Sequence, residues 1–305
     1  MTFNRKYFLV IVLFSCSFIS WAQAPITDID SLLKALQFTK IDSSRITLLN
    51  IISESTWLQG DYVKAKTYAK EAFSLAEKNL KGTDQTHKRF YLEAKANALN
   101  HIAIIYRYQG NYTESLANHF SALKIREEIK DKKGMANSYL SLGNVYSIMH
   151  NYDLSLKYYS KALKLFEEFG DKYSMAGTYS NIAGIYTGKE YYEQALKMYY
   201  SYLEIMKEFE DLQSMAFTYG NIGNIFVYQE KYDLALQEYK EALRINELID
   251  DKPGIALSHI NLGQAYLYLK KYENAESSLV KGLKYAKEVN EFESLRIAYA
   301  TLHEL

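Results

Sequence analysis

Between residues 90 and 290 the apolar side chains return with two nested periods. The short period is helical: Tyr139, Leu142, Gly143 and Tyr146 fall at i, i+3, i+4 and i+7 and share one helix face. After the polar break His150-Asn151 a second stripe runs through Tyr152, Leu156, Tyr159, Leu163, Phe166 and Phe169. It closes at Gly170, with Asp171 placed to cap the next helix. The pattern therefore predicts two antiparallel helices. The long period is forty residues, which aligns "NHIAIIY" (100–106), "LSLGNVY" (140–146), "SNIAGIY" (180–186), "GNIGNIF" (220–226) and "INLGQAY" (260–266). The same shift superimposes Tyr112, Tyr152, Tyr192, Tyr232 and Tyr272, and also Asp131, Asp171, Asp211 and Asp251. A helix pair that cannot bury its apolar face alone must stack on its neighbours, so the forty-residue unit is one structural brick.

The glycines of "YGNIGNIF" (219–226) invite a phosphate-loop reading, but no strand precedes them and no Lys-Ser or Lys-Thr follows. Gly223 instead shares its register with Ala103, Gly143, Ala183 and Gly263, an inward slot where two helices cross closely. Mid-helix glycine costs about 1 kcal/mol relative to alanine, and a large side chain there would cost about 1–3 kcal/mol through overpacking. Pro253 falls in the inter-unit turn "DDKPG", where a missing amide donor does least harm.

These slots resemble the tetratricopeptide repeat: Tyr139, Leu142, Gly143, Tyr146, Ser155, Tyr159 and Ala162 in the third unit, and Tyr219, Ile222, Gly223, Phe226, Ala235, Tyr239 and Ala242 in the fifth. The unit is longer than the usual thirty-four or so residues, and Glu167 and Glu247 replace the late proline, so the second helix is longer. The resemblance implies an all-α fold, a right-handed α-solenoid of about six repeats and a truncated seventh. It covers residues 44–294, in units near 44–89, 90–130, 135–170, 175–210, 215–250 and 255–290. Residues 25–43 read as an N-terminal cap with a lone helix at 28–38, and 295–305 as an incomplete first helix. Tyr62 precedes Tyr112 by fifty residues, so the first unit carries about ten extra, assigned to the polar stretch 81–89. The forty-residue form is similar to that of polarity adaptors that bind extended peptides and of extracytoplasmic input regions of bacterial signalling proteins.

Composition sharpens this picture. Two prolines permit long uninterrupted helices, and 29 tyrosines supply rings that pack while their tips stay near water. Residues 1–24 have the layout of a secretory signal peptide: basic Arg5 and Lys6, an apolar run from Tyr7 to about Ile19, and "AQA" ending at Ala24. Cleavage after Ala24 or after Ala22 both fit, and a lipobox at Leu13–Cys16 would make Cys16 a lipidated terminus. The expected location is exported, periplasmic or associated with the cell envelope. Removing Arg5 and Lys6 takes the 36 basic residues to 34 against 36 acidic, a net of −2, which argues against nucleic acid as a partner.

No enzyme signature emerges. The six histidines have no metal-ligand spacing, and His259 sits in an aromatic core slot. "SALK" at 121–124 imitates a serine-lysine motif, but the repeat register explains it, since Ala-Leu-Lys recurs at 162–164 without the serine. Neither a cofactor nor a metal is expected. In the fold that the resemblance implies, the first helices line a concave groove. The stripe beside their packed face holds Phe217, Asn221, Asn224 and Tyr228 in the fifth unit. Equivalent positions hold Asn97, His101 and Tyr108; Asn137 and Asn144; Asn181; and Asn261, Gln264 and Tyr268. An amide both donates and accepts, so this ladder suits the backbone of an extended peptide, with Tyr108, Tyr228 and Tyr268 gripping apolar groups. The same amides could instead bond neighbouring repeats. Groove positions that hold Lys and Arg in carboxylate-clamping repeats are Asn, Ser, Leu and Gly here, which argues against a clamp.

The expectation is therefore a non-catalytic scaffold that binds a protein or extended peptide. Its alternative is the extracytoplasmic sensor of a membrane signalling protein, such as a histidine kinase or transcriptional regulator, whose membrane-anchored output domain lies beyond residue 305.

Overall fold

A computed structural model of the chain describes residues 29–81 and 83–305, without the side chains of Gln85 and Thr86. The expected signal peptide, the Cys16 lipobox and residues 25–28 of the expected cap lie outside the described residues. Every regular element among the described residues is a helix. They divide into two compact units, the first ending at Thr178 and the second beginning at Tyr179.

The first unit holds α1 (Ile29–Phe38), α2 (Asp42–Leu58), α3 (Tyr62–Leu80), α4 (Gln85–Tyr108), α5 (Tyr112–Glu128), α6 (Lys132–Ile148), α7 (Tyr152–Phe169) and the start of α8 (Lys172–Gly188). The second holds the rest of α8, α9 (Tyr192–Glu208), α10 (Leu212–Tyr228), α11 (Tyr232–Leu248), α12 (Lys252–Tyr268), α13 (Tyr272–Glu288) and α14 (Phe292–His303). Helices packed in consecutive pairs, such as α4 with α5 and α10 with α11, form the bricks. First helices of adjacent bricks also touch, α4 with α6 and α10 with α12.

A beat shorter than the brick sets the chain direction. From Gly110 to Asn290 the backbone enters the left-handed region at every twentieth residue, at Lys130, His150, Gly170, Glu190 and onward. Each such residue ends a helix. At the α5–α6 turn, for example, Asp131 N donates to Arg126 O at 2.8 Å and Lys130 N to Glu127 O at 3.2 Å, which closes the last carbonyls. The next helix starts at once, because the Asp131 carboxylate accepts from Gly134 N at 2.9 Å. Asp171 and Asp211 cap Ser174 N and Ser214 N in the same way. Pro253 lies in the first turn of α12, where no helical amide is lost.

Small residues allow close approach within each pair. A Cβ on Gly143 would stand 2.4 Å from the Tyr159 ring, and one on Gly223 would stand 2.5 Å from the Tyr239 ring. Both tyrosines are buried. Ser155 Oγ donates to Gly143 O at 2.8 Å and Ser115 Oγ to Ala103 O at 2.8 Å, bonds available only when the helices nearly touch. This shifts the expected face of α7. Its centre is Ser155, Tyr159, Ala162 and Phe166, while Leu156 and Leu163 lie to one side and Phe169 is 46% exposed. The extra residues of the first brick do not make a long polar loop. α3 ends at Leu80, and α4 begins at Gln85 and runs 24 residues.

Candidate functional site

In the second unit the first helices α10, α12 and α14 lie side by side, and Gln264 Nε2 reaches Thr301 Oγ1 of α14 at 3.3 Å. Their shared face carries Phe217, which is 45% exposed, and half-buried Asn221, Asn224, Tyr228, Gln264 and Tyr268. Asn261 is buried within the same stripe, and Asn181 of α8 is half-buried. The next position along the Phe217 row is Leu257 and the next Ile297, both half-buried. This face is uncharged from Phe217 to Tyr268.

The tyrosines of the stripe are committed on one side. Tyr228 stacks on Tyr192 with centroids 5.9 Å apart, and Tyr268 on Tyr232 at 4.9 Å, each pairing the end of a first helix with the start of the preceding brick's second helix. Burial, reinforced by neighbouring tyrosines, pushes both hydroxyls up to about 12, so they remain neutral donors across the physiological range. Asn224 is also committed: its Oδ1 accepts from the buried Tyr239 hydroxyl at 2.6 Å. That bond fixes the amide so that its Nδ2 donors point elsewhere.

In the first unit, Asn144 accepts from Tyr159 Oη at 2.7 Å, and Asn137 is exposed. Tyr108 is 39% exposed, stacked on Tyr62 at 5.3 Å and tilted against Trp57 at 5.7 Å. Asn97 and His101 lie one turn apart on α4, both half-buried. Beneath them is a residue that the groove register does not reveal. Arg126 belongs to the second helix α5, is 4% exposed, and donates to Gly134 O at 2.9 Å, Ser138 Oγ at 2.7 Å and Asn97 Oδ1 at 2.8 Å. Burial lowers its pKa, while the Asp131 and Glu93 carboxylates act in the opposite sense. His101 Nδ1 is sealed without a partner, and burial together with Arg126 depresses the ring to about 4. His119, fully buried with Nδ1 3.0 Å from Asn100 Oδ1, is depressed by burial to about 3.

A signal for Arg126 does exist in the repeat. Its slot holds Phe166, Met206, Asn246 and Ala286 elsewhere, and only the bricks with polar Arg126 and Asn246 place glycine eight residues on, at Gly134 and Gly254. A Cβ on Gly134 would stand 2.7 Å from Arg126 Nε, and one on Gly254 2.6 Å from Asn246 Cγ. Asp131 Oδ2 and Asp251 Oδ2 would stand nearer still, at 2.0 and 2.4 Å, so each glycine fits where the aspartate and a polar side chain together crowd the start of the next helix.

The small-residue slots Ala103, Gly143, Ala183, Gly223 and Gly263 are all buried at their crossings. Among the described residues no three His, Cys, Asp or Glu side chains form a metal-binding group, and no helix is long and apolar enough to cross a membrane.

Helix pairs repeating every forty residues, closed by left-handed turns and spaced by small residues at each crossing, define a helical repeat protein. The chain belongs to the tetratricopeptide repeat family, whose profile matches residues 95–168, 134–208, 174–247 and 214–288. No curated protein matches the chain. Among solved structures it is similar to BtubC (BKLC) from P. vanneervenii, with 20% identity, TM-score 0.64, and 74% of this chain and 91% of that one covered. It is also similar to a signal-transduction ATPase of the STAND class with a tetratricopeptide repeat sensor from Pyrococcus horikoshii, with 18% identity and TM-score 0.69. That match covers 88% of this chain and only 41% of that one. Aspartyl phosphate phosphatase F from Bacillus subtilis gives 17% identity, TM-score 0.67, and 90% and 72% coverage. At these identities the likeness speaks for the fold alone.

Proposed function

We propose that the chain is a non-catalytic scaffold that holds an extended peptide or a protein segment against its first helices. The observation that carries this reading is the uncharged face of α10 and α12, where Phe217 is 45% exposed beside amides and neutral tyrosines. Amides offer hydrogen bonds to a peptide backbone of any sequence, and the apolar row favours ligands with hydrophobic side chains. The test is to pan a phage-displayed library of peptides about 12 residues long on the purified chain, then measure the affinity of the enriched peptides. Phe217→Ala with Asn221→Ala should weaken them by about tenfold without moving the melting temperature. Unchanged affinity would refute the reading.

A second reading makes these repeats the sensor region of a membrane signalling protein, favoured by the likeness to the sensor-bearing STAND protein. Coding sequence beyond Leu305 that contains an apolar run of about twenty residues and an output domain supports it; a stop codon within one more helix refutes it. We further propose that the chain is exported. N-terminal sequencing of the mature protein should then find Gln23 or Pro25, or a lipidated Cys16, and an intact Met1 would count against export.

A further inference from the structure

We propose that the outer side of the second unit holds a subsite for an alkylammonium group, where Tyr200 of α9, Tyr219 of α10 and Glu238 of α11 come together. Tyr219 lies two residues before Asn221 and so on the opposite side of α10, which makes this site independent of the peptide-binding face. The repeat supplies a reference for it. Eighty residues earlier the same slots hold Phe120, Tyr139 and Tyr158, and Lys161 stands in the slot of Glu241. There the cluster carries its own cation. Lys161 Nζ is 5.0 Å from the Tyr139 ring centre and 5.7 Å from that of Tyr158, whose ring lies 6.1 Å from Phe120 and 6.1 Å from Tyr139. Lys281 of α13 occupies the same slot and, second to burial, lowers the pKa of His259 at the aromatic position of α12. A lysine in this slot therefore sits against the aromatic position of the preceding first helix.

In α11 the arrangement is inverted. Glu241 replaces the lysine and Glu238 replaces the Tyr158 ring, so the cation is gone and two carboxylates stand one helical turn apart. Glu241 turns to Arg244, with Oε2 3.0 Å from Nε on the exposed surface. Glu238 has no such relief: it is half-buried and, among the described residues, has neither an ion pair nor a hydrogen bond. Burial raises its pKa, Glu241 adds to the rise, and Lys207 of α9 opposes it without forming an ion pair. Burial, then the Glu238 carboxylate and Tyr219, raise the hydroxyl of Tyr200 in turn, which places these three side chains within reach of one another. Tyr200 is 41% exposed, so the cluster opens to solvent. An alkylammonium arriving there supplies the counter-charge that Glu238 lacks and can lie against tyrosine rings, as Lys161 does in the first unit. Residues 179–305 carry 13 basic against 19 acidic side chains, so the field of the unit also draws a cation toward it.

The test titrates the full chain, carrying isotope-labelled tyrosine rings, with butylammonium and with its neutral analogue butanol, and follows the rings by NMR. Spectra of Tyr200→Phe and Tyr219→Phe assign the two signals. Butylammonium should shift both saturably with a dissociation constant of about 1 mM, the scale of so small a ligand, and butanol should bind about tenfold more weakly or not at all. Glu238→Gln, which keeps the shape and removes the charge, should weaken butylammonium by about tenfold. Glu238→Tyr with Glu241→Lys copies Tyr158 and Lys161, so the site then carries its own cation and the response should vanish at an unchanged melting temperature. A capped Gly-Lys-Gly peptide that binds more tightly than butylammonium assigns the group to a lysine side chain of a partner, whereas equal affinity assigns it to a free amine; either result supports the subsite. Equal shifts with butanol, unmoved Tyr200 and Tyr219 signals, or butylammonium affinity unchanged by Glu238→Gln overturns it.

Discussion

At the scale of the residue, the amides of the stripe separate into two kinds. Asn224 and Asn144 each accept the hydroxyl of a buried tyrosine, at 2.6 and 2.7 Å, so removing Asn224 takes away the acceptor of Tyr239. Asn224→Ala should cost about 1–3 kcal/mol and lower the melting temperature, while Asn221→Ala should scarcely move it; equal effects in thermal melts would contradict the assignment. Fully buried His119 and half-buried His101, whose Nδ1 is sealed, set an acid limit. His119 and His101 titrate near 3 and 4 when folded, against about 6.5 unfolded. The unfolded chain binds those protons first, so the stability they confer is complete above about pH 6.5 and is lost as pH falls toward 4 and then 3. His119→Tyr, which copies Tyr159, Tyr199 and Tyr239 at the same register, should flatten the loss of melting temperature between pH 7 and pH 5.

At the scale of the element, helix lengths were legible in the chain and helix ends only partly so. The caps Asp131, Asp171 and Asp211 announce the starts of α6, α8 and α10, as their spacing indicates. Most of the stops lack the usual glycine. Lys130, His150, Glu190, Glu210, Glu230, Asp250, Lys270 and Asn290 all occupy left-handed backbone, which only Gly60, Gly110 and Gly170 adopt without steric cost. Glu230→Gly or Lys130→Gly should therefore stabilise by about 0.5 kcal/mol, the relief of strain less the added freedom of the unfolded chain, measurable by urea unfolding. The opposite sign is expected at a crossing. Gly223→Leu should destabilise by about 2–3 kcal/mol, because its first carbon already meets the Tyr239 ring. Leu156 and Leu163 had the apolar character expected of the centre of α7, yet Ser155 and Ala162 hold it. Close helix packing selects the smallest side chains for the middle of the contact and displaces larger ones to its flanks.

At the scale of the whole molecule, the zero formal charge conceals a surplus of five in residues 29–178 and a deficit of six in 179–305. A ligand held only by the uncharged face of α10 and α12 should lose little affinity between low and moderate salt, since few charges pair. Titrations at two ionic strengths check this, and a steep loss with a neutral peptide would contradict the uncharged-face reading.

The sequence by itself determined the repeat, its forty-residue length, its helical character, the small-residue crossings and the capping aspartates. Each of these follows from local periodicity and backbone preference, which similar bricks print again and again. Only the tertiary structure decided which side of each amide is already occupied, that the tyrosines of the stripe stack on the preceding brick, and that Arg126 passes beneath Asn97. Those outcomes depend on where one helix lies against another to within a hydrogen-bond length, and periodicity along a single chain does not carry distances between its segments.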